Sequence, residues 1–268
     1  MQVLSNVARH RELLWQFLVR NVKTQHRGSY LGAFWLVANP LLMLGLYTFV
    51  FGVVFGGRFG VKPNETTLDY AFGVFLGLTV LNLFSSTLST APGIIANQPN
   101  FVKKVVFPLE VLPLAQVGSL AYNMLISLGL CLAGVIFLGE GLDWQALWIP
   151  VALAPVVFLA VGVAWLLSAV GVFLRDVDQI TQFFGMVVLY ASGVFYSADK
   201  AREASPEFWT ALKWNPLIHV IENLRRVILW DQEINVLHLG YAWGAGILVL
   251  VIGAYVFQVL RPLFADVL

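Results

Sequence analysis

The sequence predicts an all-α integral membrane protein with six transmembrane helices, and three observations lead to this fold class. Of the 268 residues, 59% are hydrophobic and 12% are charged, about half of the roughly 25% charge in a soluble domain. The mean hydropathy is +0.80. Charge-free stretches recur along the chain, each reaching the ~20 residues that cross ~30 Å of hydrocarbon. This composition excludes a soluble enzyme, a disordered chain and a nucleic-acid-binding domain, and the single cysteine, Cys131, excludes an internal disulfide framework.

The first predicted element is an amphipathic interface helix over residues 4–26. Leu14, Leu18 and Val22 continue an apolar stripe that begins at Leu4, and basic residues occupy much of the remaining surface. Such a helix lies in the headgroup plane and contacts membrane lipids. Two interpretations stay open: a simple membrane anchor, or a helix that frames the access point of a lipid-linked substrate.

Six charge-free stretches follow, and we expect the spans within or close to them because a charge at the bilayer centre is costly. The predicted spans are 33–57, 70–96, 110–138, 148–174, 178–196 and 240–260. Nine lysines and arginines lie on the side of the two termini, whereas the opposite short loops hold Arg58 and Lys62. Since cytoplasmic loops carry the basic excess, both termini are predicted to be cytoplasmic. The 197–239 segment weakens this rule, because it adds five basic residues on the outer side, offset by six acids.

The loop between spans two and three, residues 98–106, contains more apolar residues than a bare connector needs. Pro99 and Pro108 interrupt the helices on either side, and the loop carries Lys103 and Lys104. This composition favours a short cytoplasmic helix that docks on another protein. A lipid-facing amphipathic turn with snorkelling lysines is the alternative.

Residues 205–230, between spans five and six, predict two short amphipathic helices. Ser205-Pro206-Glu207 combines a capping serine, a proline at the first helical position and an acid near the positive end of the helix dipole. The first helix should end before Asn215-Pro216, because the residue before a proline disfavours helical geometry. The pair is either a re-entrant hairpin on the outer face or two helices lying on the membrane surface.

Catalytic signatures are missing from the sequence. It has no G-x-x-x-x-G-K-[ST] motif for ATP, its four histidines lack metal-ligand spacing, and no predicted span carries an acid or base at its middle, where an ion-coupled carrier usually keeps one. The chain is therefore predicted to be a non-catalytic translocation subunit whose energy source is elsewhere. Aromatic residues crowd the first span, where they either anchor and pack the helix or stack sugar rings along a pore. The candidate channel aromatics are Phe34, Trp35, Tyr47 and Phe51.

Motifs in five regions, in order over nearly the whole chain, resemble those of ABC polysaccharide-export permeases. O-antigen permeases are the most similar type, with teichoic-acid and capsule permeases as relatives. One departure is Gly193, where relatives often have proline, and a more flexible outer end of span five would follow. The matching segments are Arg27–Gly32 with Trp35 and Asn39-Pro40, then Pro92-Gly93 through Asn100–Glu110, Leu174–Val177, Ser192–Tyr196 and Trp214–Leu217.

The resemblance implies a homodimer of six-span subunits, joined by two copies of a separate ABC ATPase subunit in the bacterial inner membrane. ATP and magnesium would be bound by that partner, and this chain would hold no cofactor. The exported substrate would be a polysaccharide built on a polyprenyl diphosphate lipid. The competing hypotheses are a related ABC permease for drugs or smaller lipids, and an intramembrane enzyme or ion-coupled carrier.

The resemblance also implies roles for particular residues. The 98–106 loop becomes the coupling helix that docks on the ATPase, through Gln98, Pro99, Asn100, Phe101, Val102, Lys103, Lys104 and Val105. The helices of 205–230 become gate helices at the periplasmic opening, and the outer-gate candidates are Phe195, Tyr196, Phe208, Trp209 and Trp214. A diphosphate headgroup requires cations near the cytoplasmic access point, for which the candidates are Arg20, Lys23 and Arg27.

Overall fold

A computed structural model describes residues 6–7, 9–25, 31–32, 34–103, 107–139 and 141–268, and the regular elements within these ranges are helical. In chain order the α-helices are α1 (Arg11–Gln25), α2 (Phe34–Tyr47), α3 (Thr67–Thr90), α4 (Gly93–Ala96), α5 (Pro99–Lys103), α6 (Val111–Leu138), α7 (Ile149–Val170), α8 (Val177–Ala191), α9 (Ala198–Ala204), α10 (Pro206–Leu212), α11 (Pro216–Ile228), α12 (Val236–Leu260) and α13 (Phe264–Val267). A π-helical segment, Thr48–Val54, continues α2, and 3-10 turns at Trp144–Trp148 and Arg261–Leu263 precede α7 and follow α12.

Among the described residues, five helical segments are long and apolar enough to cross a membrane, which confirms the all-α membrane class. The fifth predicted span, 178–196, corresponds to α8, which has 15 residues and is about 22 Å long. It falls short of the ~20 helical residues of a full crossing, because helical geometry ends at Ala191 and Gly193 takes a φ of 67°. The five segments are Phe34–Val54, Thr67–Thr90, Val111–Leu138, Trp144–Val170 and Val236–Val267.

The central element is α3, which other helices surround. Its residues 70–81 are all buried, and it packs against α2, α6, α7, α8 and α11. A capping box starts the helix: the Thr66 hydroxyl accepts from the Asp69 backbone N–H at 3.2 Å, and the Asp69 carboxylate accepts from the Thr66 N–H at 2.9 Å. These two bonds satisfy backbone donors that the first helical turn leaves without partners.

Three predicted elements have different bounds in the structure. The predicted span 70–96 is divided into α3 and α4, because Pro92 provides no backbone N–H to continue the helix ladder. Of the predicted coupling helix 98–106, the structure shows α5, and residues 104–106 lie outside the described residues. The predicted interface helix 4–26 appears as α1, with residues 1–5, 8 and 26 likewise outside the description.

Glycines allow α7 and α12 to pack with their backbones in close contact. A Cβ added to Gly253 would lie 2.0 Å from the carbonyl oxygen of Gly162, and one added to Gly246 would lie 2.7 Å from that of Pro155. Small residues at helix interfaces let membrane helices approach in this way. The fourth and last predicted spans therefore form one tightly packed pair.

The bundle has two distinct ends. The hairpin end holds α9, α10 and α11 with the preceding turn, and the α5 end holds α1, α5 and α13. The 24 residues of α3 separate these ends by about 36 Å. Helix α9, which the sequence did not predict, begins at Ser197, whose hydroxyl accepts from the Lys200 N–H and donates to the carbonyl of Phe59 at 2.9 Å. This bond fastens the loop after α2 to the hairpin end.

Candidate functional site

Two adjoining cavities along α2 form one feature, the polar groove. The larger cavity, of about 430 Å³, lies between α2, α3 and α8, and the smaller, of about 240 Å³, lies between α2, α3 and α6. Asn39, Pro40, Asn82 and Ser127 line both. The groove therefore runs continuously past the middle of α3.

Neutral hydrogen-bonding side chains line the polar groove together with apolar ones, among them Met43 and Leu78. None of the described residues that line the two cavities is charged. Amides and hydroxyls both donate and accept hydrogen bonds, so this lining can hold an uncharged, hydroxyl-rich ligand without concentrating ions. The amide and hydroxyl residues are Asn39, Thr79, Asn82, Ser85, Ser86, Asn123, Ser127 and Gln182.

The spacing of polar residues in α3 places them on the groove. Thr79, Asn82 and Ser86 are three and four residues apart, so they share one helix face. Asn82 is exposed there, whereas its neighbours Leu81 and Leu83 are buried in the core. The same helix thus supplies both the core and the polar wall.

The four candidate channel aromatics lie in different surroundings. Trp35 lines the smaller cavity, and Tyr47 lines the larger one. Phe51, one turn beyond Tyr47, stacks with it at a centroid distance of 6.0 Å. The Phe34 ring packs edge-on against Trp35 at 6.0 Å and is 59% exposed. The structure brings Trp35 and Tyr47 to the groove and leaves Phe34 exposed.

An aromatic stack of Tyr47, Phe51, Tyr190 and Phe195 lies at the hairpin end of the groove. The Phe195 ring lies 4.4 Å from that of Phe51, with 24° between the ring planes. It lies 5.4 Å from Tyr47 and 6.3 Å from Tyr190. The stack joins the residues after α8 to the second half of α2.

The other outer-gate candidates do not join this stack. The Tyr196 hydroxyl donates to the Tyr190 carbonyl at 2.6 Å. Trp209 is buried in a small separate cluster in α10 and α11, with the Arg202 guanidinium over its ring at 5.5 Å. Phe208 and Trp214 are exposed. The five candidates therefore occupy three surroundings: Phe195 lies in the stack, Tyr196 and Trp209 lie at the small cluster, and Phe208 and Trp214 lie at the surface.

Arg225 in α11 is a buried, charged residue that the sequence pattern did not single out. It is 0% exposed, and its guanidinium donates to four backbone carbonyls and lies 4.1 Å from the centroid of the Phe59 ring. Burial lowers the pKa of Arg225 to about 10, which leaves it charged at neutral pH. The sequence contains one sign that Arg225 is buried: it lies on the apolar face of α11, four residues after Ile221 and three before Ile228.

At the α5 end, Phe101 of the predicted coupling group packs into an aromatic triad. Its ring lies 5.7 Å from Phe17 of α1 and 4.8 Å from Phe107, and Phe17 lies 5.3 Å from Phe107. Pro99, Asn100 and Lys103 are exposed, whereas Gln98 and Val102 are half-buried. Lys104 and Val105 lie outside the described residues. One face of α5 is thus anchored, and the other is open.

Glu110, directly before α6, is a second residue that the sequence analysis missed. It is 0% exposed, and its carboxylate accepts from the Asn6 amide at 2.8 Å and lies 3.2 Å from the Arg261 guanidinium. The Trp165 indole N–H donates to its backbone carbonyl at 3.1 Å. This cluster joins the segment before α1 to α6, α7 and the end of α12.

The candidate cations for a diphosphate lie on α1. The Arg20 guanidinium covers the Phe17 ring at 4.2 Å, Lys23 is exposed, and Arg27 lies outside the described residues. The helix is fixed against α6 by amides, since Asn123 donates to Gln25 at 2.9 Å. Arg20 and Lys23 are therefore open to a ligand on an anchored helix.

Comparison with known proteins gives relatives over almost the whole length. The profile of the ABC-2 type transporter family matches residues 12–229. The O-antigen export system permease protein RfbA of Klebsiella pneumoniae is 26% identical over 258 residues, which cover 96% of this chain and 95% of the relative. The Myxococcus xanthus protein of the same name is 24% identical over 227 residues, covering 85% and 84%. The polysialic acid transport protein KpsM of Escherichia coli is 25% identical over 223 residues, 79% of each chain.

The family match extends from α1 to the residue after α11. It therefore includes the helices that form the polar groove, the aromatic stack, Glu110 and Arg225. Because it takes in most of the sequence, the chain belongs to the ABC-2 type transporter family.

Proposed function

We propose that this chain is the membrane-spanning permease subunit of an ABC transporter that exports a polysaccharide built on a polyprenyl diphosphate lipid. O-antigen is the first candidate, because relatives named as O-antigen export permeases align with nearly its full length. A capsular polymer or teichoic acid is a variant of the same proposal, and the relative named for polysialic acid transport supports the capsular form.

The uncharged polar groove is the observation that carries the proposal. A sugar polymer presents hydroxyl groups, which the groove amides and hydroxyls can bind. Its apolar ring faces can stack on aromatic rings such as Trp35 and Tyr47. An apolar drug or lipid tail would leave the same amides without partners, which is unfavourable once they are buried.

A second copy of the chain would complete the conduit, so we propose a homodimer. A polymer path has to be closed against lipid on all sides, whereas the single chain forms an open groove. The helices α2 and α8 flank that groove with exposed apolar side chains, among them Met43, Leu46, Phe183, Met186 and Tyr190. In the dimer two such grooves would face one another.

Two copies of an ABC ATPase would dock at the α5 end and bind the ATP and magnesium. The exposed residues of α5 suit a docking surface, and the anchored Phe101 would pass its movement to α1 through Phe17. A cavity of about 900 Å³ lies nearby, lined in part by Asn97, Arg175 and Asp178. It adds polar surface for the partner next to α5.

The distribution of basic residues supports the proposed orientation. We place the α5 end and both termini in the cytoplasm and the hairpin end outside the bacterial inner membrane. In this arrangement α8, with the residues at its two ends, also crosses the membrane and brings the number of crossings to six. The helices α10 and α11 are then gate helices at the outer opening, and Arg20, Lys23 and Arg27 face the lipid diphosphate on the inner side.

Complementation tests the proposal. In cells lacking this gene, we expect lipid-linked polymer to accumulate inside the cytoplasmic membrane, and co-expression of the chain with an adjacent ABC ATPase gene to restore surface polymer, measured by immunoblot. A hydrolysis-deficient ATPase is the control and should not restore it. The two proteins should purify as a stable two-plus-two complex. Unchanged surface polymer with raised drug sensitivity would instead support a drug or lipid permease, and transport by the purified chain without any ATPase would overturn the assignment.

A further inference from the structure

Four consecutive backbone carbonyls after α8 are held by two side chains. The Arg225 guanidinium donates through Nη1 to the carbonyls of Gly193 at 2.7 Å and Tyr196 at 3.3 Å, and through Nη2 to that of Val194. The Tyr70 hydroxyl donates to the carbonyl of Phe195 at 3.2 Å. We name these two side chains the carbonyl clasp. Because residues 193–196 are not helical, their carbonyls have no ladder partners, and the clasp supplies the donors.

The clasp is itself fixed to the core of the bundle. Arg225 Nε donates to the Gly73 carbonyl of α3 at 3.0 Å, and its guanidinium lies over the Phe59 ring. The Glu65 carboxylate holds the backbone of Phe59, because it accepts hydrogen bonds from the N–H groups of Phe59 and Gly60 at 2.7 Å each. A buried guanidinium with these bonds is costly to move, since any shift leaves carbonyls unpaired.

The clasp sets the position of one aromatic ring. With its carbonyl held by Tyr70, Phe195 presents its ring to Tyr47 at the end of α2 and to Phe51 of the π-helical segment. The Tyr70 ring also lies beside the π-helical segment, since a Cβ added to Gly52 would lie 3.4 Å from its Cδ1. The 193–196 turn and the second half of α2 therefore meet at one aromatic contact.

The two sides of this contact are anchored very differently. Phe49, Val53 and Val54 of the π-helical segment are exposed, whereas Gly193 and Val194 of the turn are buried. The part of α2 that meets Phe195 is π-helical, a conformation that often marks functional sites. The turn is held by charge-assisted bonds to a buried arginine, which are stronger than neutral ones. Movement at this contact therefore falls to α2.

We propose that Arg225 and Tyr70 are positioning residues that hold the 193–196 turn as the fixed side of the resting seal, against which the π-helical part of α2 closes through Phe195. The inference rests on the proposed function, because a seal is needed only in a conduit. It makes the π-helical segment the moving part of the outer gate, and it makes the gate helix α11 the fixed part. It also gives a role to a buried arginine whose hydrogen bonds go to backbone carbonyls.

The test measures leak without substrate or ATP. The full-length protein and its variants are reconstituted in phosphatidylethanolamine–phosphatidylglycerol vesicles loaded with carboxyfluorescein. We expect Arg225→Gln to raise dye release about tenfold, because the closed state loses its hydrogen bonds to three turn carbonyls. Tyr70→Phe, which removes one neutral bond, should raise it about threefold. The matched control is Arg226→Gln, since Arg226 donates to the Glu233 carbonyl outside the clasp, and its leak should equal that of the original protein.

A second variant keeps the test decisive if Arg225→Gln does not fold. Phe195→Ala removes the ring and leaves the four carbonyls and the clasp intact, so it should fold and leak about as much as Arg225→Gln. Wild-type leak in Phe195→Ala, or in a monodisperse Arg225→Gln, would overturn the proposal. Failure of the proposed polysaccharide function is distinguishable, because a conduit for another cargo would still give the expected leak results, whereas surface polymer would be absent in complementation.

Discussion

The carboxylate of Glu110 lies 3.2 Å from the guanidinium of Arg261, and this ion pair joins the start of α6 to the end of α12. The Glu110 side chain is fully buried, whereas 37% of the Arg261 side chain is exposed. Glu110 follows the loop after α5. The ion pair therefore lies where movement of the proposed coupling helix would reach the helix bundle. Asn6 and Trp165 extend the connection to two further elements.

Glu110→Gln should lower the free energy of unfolding by about 2 kcal/mol, less than the 3–5 kcal/mol of a fully buried pair because Arg261 is partly solvated. Arg261→Gln should have a similar effect, and the double variant should cost less than the sum, since both remove one interaction. SDS titration of the purified protein measures these values. Asp231→Asn is the control, because 63% of the Asp231 side chain is exposed in its pair with Lys62, so the pair should contribute below about 1 kcal/mol. Additive effects of the two main variants would contradict the predicted coupling.

Alanine substitutions at two glycines of α12 should change the stability of the protein in opposite directions. Gly253→Ala places a methyl group 2.0 Å from the Gly162 carbonyl oxygen, so α7 and α12 must separate, at a cost of about 1–3 kcal/mol. Gly244 has no heavy atom within 4 Å of an added Cβ, so Gly244→Ala should stabilise by up to about 1 kcal/mol through helix propensity. Thermal unfolding in detergent measures both, and equal melting temperatures would refute the close packing.

Asn82 should be required for transport and dispensable for folding. It is exposed on the face that α3 presents to both cavities of the polar groove. Asn82→Leu removes its donors and acceptor and should lower the rate of polymer export about tenfold, the value of one lost hydrogen bond to substrate. Asn82→Ser keeps a hydroxyl and should retain most of the rate. Surface polymer after induction is the measurement, and an Asn82→Leu protein with full export would remove the groove from the proposed path.

Charge reversal in the coupling group should act on the partner and not on the substrate. Lys103 is exposed at the end of α5, so Lys103→Glu with Lys104→Glu should reduce co-purification of the ATPase or its stimulation severalfold, since the contact gains like charges or loses attraction. Lys213→Glu, at the hairpin end, is the matched reversal and should leave assembly unchanged. Normal assembly and export in the double variant would exclude these lysines from the docking surface.

His219 in α11 should make the hairpin end sensitive to acid. Its Nε2 donates to the Lys213 carbonyl at 2.8 Å, and burial lowers its pKa from the ordinary value. The folded state therefore prefers the neutral ring, and its contribution to stability is complete above about pH 6.5, the unfolded value, and declines as the pH falls below it.

His219→Gln keeps a donor for Lys213 and cannot titrate. The difference in melting temperature between the original protein and this variant should therefore shrink or change sign between pH 7.5 and 5.5. Burial raises the pKa of Glu222, so its contribution to stability has the opposite pH dependence. Glu222 is present in both proteins, and it therefore does not disturb the comparison. A difference that does not vary with pH would show that the ring is not titrating in this range.

Composition and residue spacing alone determined the membrane class and the sequence regions of the predicted spans. A run of apolar residues has to be helical in lipid, because its backbone groups find no water to bond, so length and charge suffice to place it. The same local logic placed α5 and the α10–α11 pair from prolines and capping residues. It missed α9, whose start depends on a Ser197 hydroxyl that also bonds to Phe59, 138 residues away.

The partners of the buried polar groups were decided by the tertiary structure. Arg225 bonds to Gly73, 152 residues away, and Glu110 to Asn6, 104 residues away. Periodicity reports which face of a helix a residue occupies, but not which other helix that face will meet. A charged side chain on the apolar face of a helix is unfavourable as long as it has no hydrogen-bonding partner. It becomes favourable once the folded chain surrounds it with donors and acceptors.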